Sequence, residues 1–127
     1  MSERLAILVW AAEPGTPQLC ATPFHFAATA AAMDAEVEMY FTARSVQLLA
    51  KGVAETIYPG GHPGSEPALA HFVQQAAQFG TRFFACPTAM LAHGVDAAVL
   101  RAEVSGQAGA AAFIGRTLDP AWRTLTF

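Results

Sequence analysis

Apolar positions along this chain fall into short unbroken runs, separated by stretches with a helical period. Residues 5–11, LAILVWA, form an unbroken run of the kind expected for a strand buried on both faces. AEPGTPQ breaks it. CATPFHFAATAAAM then reads as a helix, with Thr22 as cap and Pro23 at the first helical position. Thr16-Pro17 gives the same signal earlier, so the helix either starts there and kinks at Pro23 or starts at Pro23. AEVEMYFT, 35–42, alternates and then turns apolar, which predicts a second strand. ARSVQLLAKG predicts a helix of about two turns with Gly52 as its stop. VAETIY predicts a short edge strand, and PGGHPGSEP a loop.

The clearest helical period is EPALAHFVQQAAQFG. It places Leu69, Phe72, Val73, Ala76 and Phe79 on one face, and Gly80 ends it. TRFFAC predicts a strand and PTAMLAHG a helix of about two turns ending at Gly94. VDAAVLRAEVSG shows no single period and is compatible with helix, strand or neither. SGQAGAAAFIGRTL reads as a helix capped by Ser105, and AWRTLTF as a last strand. Strands alternating with helices predict one α/β domain over residues 1–127, a three-layer sandwich with a mostly parallel central sheet and helices on both faces. Phe24, Phe26, Phe72, Phe79, Phe83 and Phe84 are expected in the core or a subunit interface. Trp10 and Trp122, on the first and last strands, are expected in the core.

Composition narrows the function classes. The 127 residues are 54 % hydrophobic and 13 % charged, with a formal net charge of −3. So few charges suggest that surface is hidden in an oligomer. The charge gives no electrostatic footprint for nucleic acid, and no apolar run is long enough to span a membrane. The N-terminal run is short, and Glu13-Pro14 follows where a signal peptide would carry small residues. Two cysteines without an export signal point to the cytoplasm.

The candidate chemistry centres on FFACPTAMLAHG, residues 83–94. In an open α/β sheet, ligands bind beyond the carboxyl ends of the strands, and Cys86 falls at such an end. With Cys86 as N-cap and Pro87 as first helical residue, the N–H groups of Thr88 and Ala89 are placed to face the sulfur, an arrangement that favours thiolate. The alternative is a buried cysteine acting as a small hydrophobe. Neither a Cys-x-x-Cys pair nor the Cys-x5-Arg loop of a tyrosine phosphatase is present; Ala89 and Ala92 stand at those positions.

The chain resembles the sulfur-relay proteins of the DsrE/DsrF/DsrH type, together with the wider group of small DsrE-like proteins. The resemblance covers nearly the whole chain. It rests on the apolar first strand, on PFHFAATAAAMDAEVEMYFTARSVQLLAKGV, on the long helix that follows, and on GTRFFACPTAMLAHGV. It implies an α/β sandwich assembled as a homo-oligomer, a trimer or hexamer, and a persulfide-carrying cysteine for which Cys86 is the matching position. The implied function is a sulfur carrier or sulfurtransferase that takes sulfane sulfur from a donor and passes it to an acceptor protein. The second nearby cysteine that some relatives carry is missing from ACPTAM. A rival reading is a non-catalytic oligomeric module that binds a small ligand or partner peptide in the same pocket; a depressed thiol pKa would separate the two. A third is a small oxidoreductase pairing Cys86 with Cys20.

Other residues are weaker candidates. Cys20 follows strand one and is either a resolving thiol or a packing residue, the latter favoured. Glu13 and Thr42 follow strands one and two and are candidate pocket lining. His62 tips the glycine-rich loop, which is either a flap or an ordinary connection. His25, His62, His71 and His93 show no metal-site spacing, so neither metal nor cofactor is expected.

Overall fold

The computed structural model describes residues 3–127. Its five strands are β1 (Arg4–Val9), β2 (Glu36–Phe41), β3 (Arg82–Ala85), β4 (Val104–Gln107) and β5 (Arg123–Thr126). They form one sheet in the order β4-β3-β2-β1-β5, parallel throughout. The helices are α1 (Ala21–Ala32), α2 (Leu69–Gln78), α3 (Pro87–Ala92) and α4 (Ala110–Leu118). The α/β sandwich expected from the alternation of strands and helices is present. Central strands β1 and β2 are buried on both faces, which accounts for their apolar runs.

The two faces differ. On one, α1, α2 and α3 close over a large core built around Phe24, Phe41 and Phe83. The Phe24 ring stacks on Phe41 at 5.5 Å and meets Phe83 edge-on at 5.7 Å, geometries that add about 0.5–1.5 kcal/mol per pair beyond area burial. Ala27 and Ala28 let α1 lie close to the sheet. On the other face α4 alone covers a smaller cluster of Ala6, Tyr40, Phe113 and Trp122.

Several local expectations are corrected. The first helix does not begin at Pro23: α1 is continuous from Ala21 to Ala32. A 3-10 turn over Pro17–Leu19 runs through Cys20 into α1, and Pro23 sits in the first α turn, where an amide hydrogen has no intrahelical partner. ARSVQLL is a 3-10 helix, Ala43–Leu49, rather than an α-helix. VAETIY is not a strand: Ala54–Thr56 form a 3-10 turn, and Glu55 within it bonds the buried Arg101 at 2.7 Å. Ser105 caps no helix. It lies in β4, its hydroxyl accepts from the Phe83 N–H at 3.3 Å, and Gly109 takes the N-cap place. Trp10 lies beyond the end of β1 and is 54 % exposed, and Phe79 is 51 % exposed. Phe26, also exposed, packs edge-on against Phe127.

Gly80 and Gly94, read as helix stops, adopt positive φ of 99° and 69°, the left-handed turn that glycine enters without strain. The glycine-rich loop is pinned. The Glu66 carboxylate accepts from the N–H groups of Gly60 at 2.8 Å and His62 at 2.7 Å, and a Cβ on Gly60 would fall 2.6 Å from that carboxylate.

Candidate functional site

Parallel strands end on one side of the sheet, and three of those ends build the site. The ladder between β2 and β3 runs one bond beyond β3: the Cys86 N–H donates to the Phe41 carbonyl at 2.9 Å. The Cys86 carbonyl then accepts from Met90 N–H at 2.9 Å, the first bond of α3. Cys86 therefore serves as strand end and helix cap at once, in extended conformation. Its side chain makes no capping hydrogen bond and is half-buried.

The chain returns to this point after β4. A register shift between β3 and β4 sets Phe84 opposite Gly106, and Ala108 N–H donates to the Ala85 carbonyl at 3.0 Å. Gly109 is thereby laid against the cysteine, where a Cβ would sit 3.4 Å from Cys86 Sγ. Glycine at the N-cap of α4 leaves the sulfur uncrowded, and no side chain caps the amides at that helix start.

A cleft of about 170 Å3 opens here. Strand ends supply Leu8, Tyr40, Phe41, Thr42 and Cys86; the opposite side comes from residues 108–110, Phe113 and Ile114. No lining residue carries a formal charge. Thr42 is followed by Ala43 at φ 50°, a left-handed conformation that costs an alanine about 1–2 kcal/mol. A second hollow, about 260 Å3, lies beside Leu19 and Phe127 and contains no titratable side chain.

Beneath the cleft, Tyr40 anchors a charge network that spacing along the chain did not reveal. Its hydroxyl donates to Glu38 Oε1 at 2.7 Å. Arg116, near the end of α4, grips Glu38 with two bonds of 2.9 and 3.1 Å, and Arg82 adds a third of 2.7 Å. Arg116 also lies 4.1 Å over the Trp122 ring. Burial pushes the Glu38 carboxyl up, but the Arg116 and Tyr40 hydrogen bonds and the two guanidinium charges outweigh it and hold the carboxyl below its usual range. Burial, then the bond to Glu38, raises the Tyr40 hydroxyl. The network ties α4 to β2 and so fixes the wall facing Cys86. The available signal was a glutamate inside the strand EVEMYF with arginines in two neighbouring elements.

The residues singled out from sequence separate into two groups. Thr42 lines the cleft with Cys86. Pro87 packs near Gly109 and is exposed, Thr88 is exposed, and Ala89 is buried under the start of α3. Glu13, Cys20 and His62 line no part of that cleft. Cys20 is fully buried, with Sγ 3.4 Å from the Glu13 and Thr16 carbonyls. Burial first, and the Glu13 charge second, push its thiol up to about 11. Glu13 holds the turn before α1 and lies 3.9 Å from Arg44. His62 belongs to the loop gathered by Glu66. Among the described residues, no group of three or more His, Cys, Asp or Glu side chains comes together as a metal site, and no helix is long and apolar enough to cross a membrane.

The architecture is similar to that of the ychN protein of E. coli, with a TM-score of 0.73, 15 % identity and full coverage of both chains. It is also similar to a protein of unknown function, MTH1491, from Methanobacterium thermoautotrophicum, with a TM-score of 0.68, 16 % identity and coverage of 99 % of this chain and 100 % of that one. A comparison with curated proteins gives no match. The model of the DsrE/DsrF-like family matches residues 5–127, and the chain belongs to that family.

Proposed function

We propose that the protein is a sulfur carrier that holds sulfane sulfur as a persulfide on Cys86. The observation that supports this most is the state of the thiol: half-buried, free of hydrogen bonds from its own helix, and set beside a glycine in the lining of an apolar cleft. The Cys86 thiolate attacks the outer sulfur of a donor persulfide. A new S–S bond forms at Cys86, the donor S–S bond breaks, and the donor leaves as a thiolate with the electron pair. An acceptor protein thiolate then attacks the outer sulfur, and Cys86 returns to its starting form. No oxidant is consumed, because the sulfane sulfur only changes partner. Thr42, Pro87, Thr88 and Ala89 shape the surroundings of the sulfur. Negative charge developing there lies beside Gly109, the N-cap of α4, a helix start that no side chain caps and whose dipole favours an anion.

The chain works in this reading as a homo-oligomer, trimer or hexamer, which accords with the exposed Trp10, Phe26 and Leu118 side chains. Its location is the cytoplasm, where thiols stay reduced. The test is persulfide-selective labelling after exposure to a sulfur donor. Wild type should label and Cys86→Ser should not; equal labelling of the two removes the proposal. The absence of any charged group in the cleft favours one second reading, a binding module without chemistry. That reading predicts ligand or partner binding unchanged in Cys86→Ser.

A further inference from the structure

The cleft's size and lining restrict what can share it with the sulfur. Its room, about 170 Å3, is close to that of a cavity of about 150 Å3 lined by aliphatic and aromatic side chains that accepts benzene. Leu8, Tyr40, Phe113 and Ile114 give it apolar side-chain surface. The Tyr40 hydroxyl is engaged by Glu38, and Glu38, Arg82 and Arg116 are paired with one another. A charged group entering the cleft would shed water and meet no oppositely charged side chain in its lining. An uncharged apolar group of phenyl or short-alkyl size would lose nothing and would bury its surface.

We infer that the sulfur donor for Cys86 is a low-molecular-weight persulfide, R–S–SH, whose organic part R is uncharged, apolar and about phenyl-sized, seated against Phe113 and Ile114. This rests on the reading that Cys86 takes up sulfane sulfur. Cys86 first gives its proton to solvent. Its thiolate attacks the outer sulfur, the Cys86–S bond forms, the S–S bond to R breaks, and R–S⁻ departs with the electron pair. The outer sulfur keeps its hydrogen, so the protein ends as Cys86–S–SH. Ile114 determines specificity: it is 52 % exposed in the middle of α4 and can be exchanged without opening the core.

The experiment uses the full chain carrying Cys20→Ala, so that one thiol remains. Three methanethiosulfonates with the same reactive head are compared: benzyl, 2-sulfonatoethyl and 2-trimethylammonioethyl. Each rate at Cys86, read by mass spectrometry, is divided by the rate of that reagent with free cysteine. The benzyl reagent should exceed both charged ones by about ten-fold or more. Ile114→Glu should remove most of that preference, and benzyl persulfide should load Cys86 faster than glutathione persulfide. Equal normalised rates for the three reagents, or a preference that Ile114→Glu leaves intact, overturn the inference while leaving Cys86 as a carrier. No modification by any reagent in the folded protein overturns the carrier reading itself.

Discussion

Arg116→Met tests whether the charge network under the cleft is as closed as its geometry states. Methionine keeps much of the arginine stem and removes the guanidinium. Glu38, 2 % exposed at its side chain, would retain Arg82 and Tyr40 and lose the two-pronged bond from α4. Breaking a fully buried ion pair from one side costs about 3–5 kcal/mol, because a charge is left uncompensated. Two facts lower that figure. The Arg116 side chain is 35 % exposed, so water screens part of the pair, and Arg82 remains. Loss of the Trp122 contact adds about 0.5 kcal/mol. The expected cost near neutral pH is about 2 kcal/mol, or about 6–10 °C in Tm for a chain of this length.

The cost should depend on pH in a defined direction. A carboxyl held low in the folded state contributes stability that is present above its unfolded value, about 4.3, and lost as pH falls through the folded value. In Arg116→Met burial is opposed by fewer partners, so the Glu38 carboxyl rises and takes a proton under mildly acidic conditions, which relieves the stranded charge. The gap between wild type and variant is then widest near neutral pH and narrows toward about pH 4. Urea unfolding at several pH values and one fixed protein concentration measures it. A neutral-pH cost below about 0.5 kcal/mol, the level of an exposed pair, would refute the reasoning. So would a cost that does not shrink on acidification.

Other expectations follow from single contacts. Cys20, with its thiol pushed up to about 11, contributes stability that is complete below the unfolded thiol value and lost as pH rises toward that figure; Tm measured against pH should therefore fall less across this alkaline window in Cys20→Ala than in wild type. Gly109→Ala places a methyl 3.4 Å from Cys86 Sγ at an ordinary φ of −120°, so thermal unfolding should change little while Cys86 alkylation slows several-fold; an unchanged rate would mean that Gly109 does not border the approach. Phe24→Ala empties the centre of the three-ring cluster and should cost about 3–5 kcal/mol by denaturant unfolding.

What could be read in the sequence was whatever burial imposes on a contiguous run. LAILVWA and EVEMYF announce central strands because neighbours cover both faces. The period of LAHFVQQAAQ announces α2 because one side meets the core. The strand β4, VSGQ, gave no such signal: it is a four-residue edge held by the β3 ladder, with alternate residues exposed. VAETIY misled because a short mixed run suits a turn as well as an edge strand. Trp10 is expected in the core as an aromatic of the first strand, yet it lies past the end of β1 and is exposed. In the site, strand-end position was enough to mark Cys86 and Thr42. Gly109 and Arg116 were not legible, since their roles depend on contacts brought from distant parts of the chain.

The bond from the Cys86 amide to Phe41 has a consequence for how the residue can be observed. Backbone and sulfur of one amino acid belong to different regimes: the amide is locked in the sheet ladder, while the thiol faces a cleft. Hydrogen exchange at that amide should wait for the β2–β3 pairing to open, whereas modification of the sulfur should proceed with the sheet intact. A thiol mounted in this way needs no loop to swing into place. Its encounters are timed by the visitor, and the protein's own breathing sets a separate, slower clock.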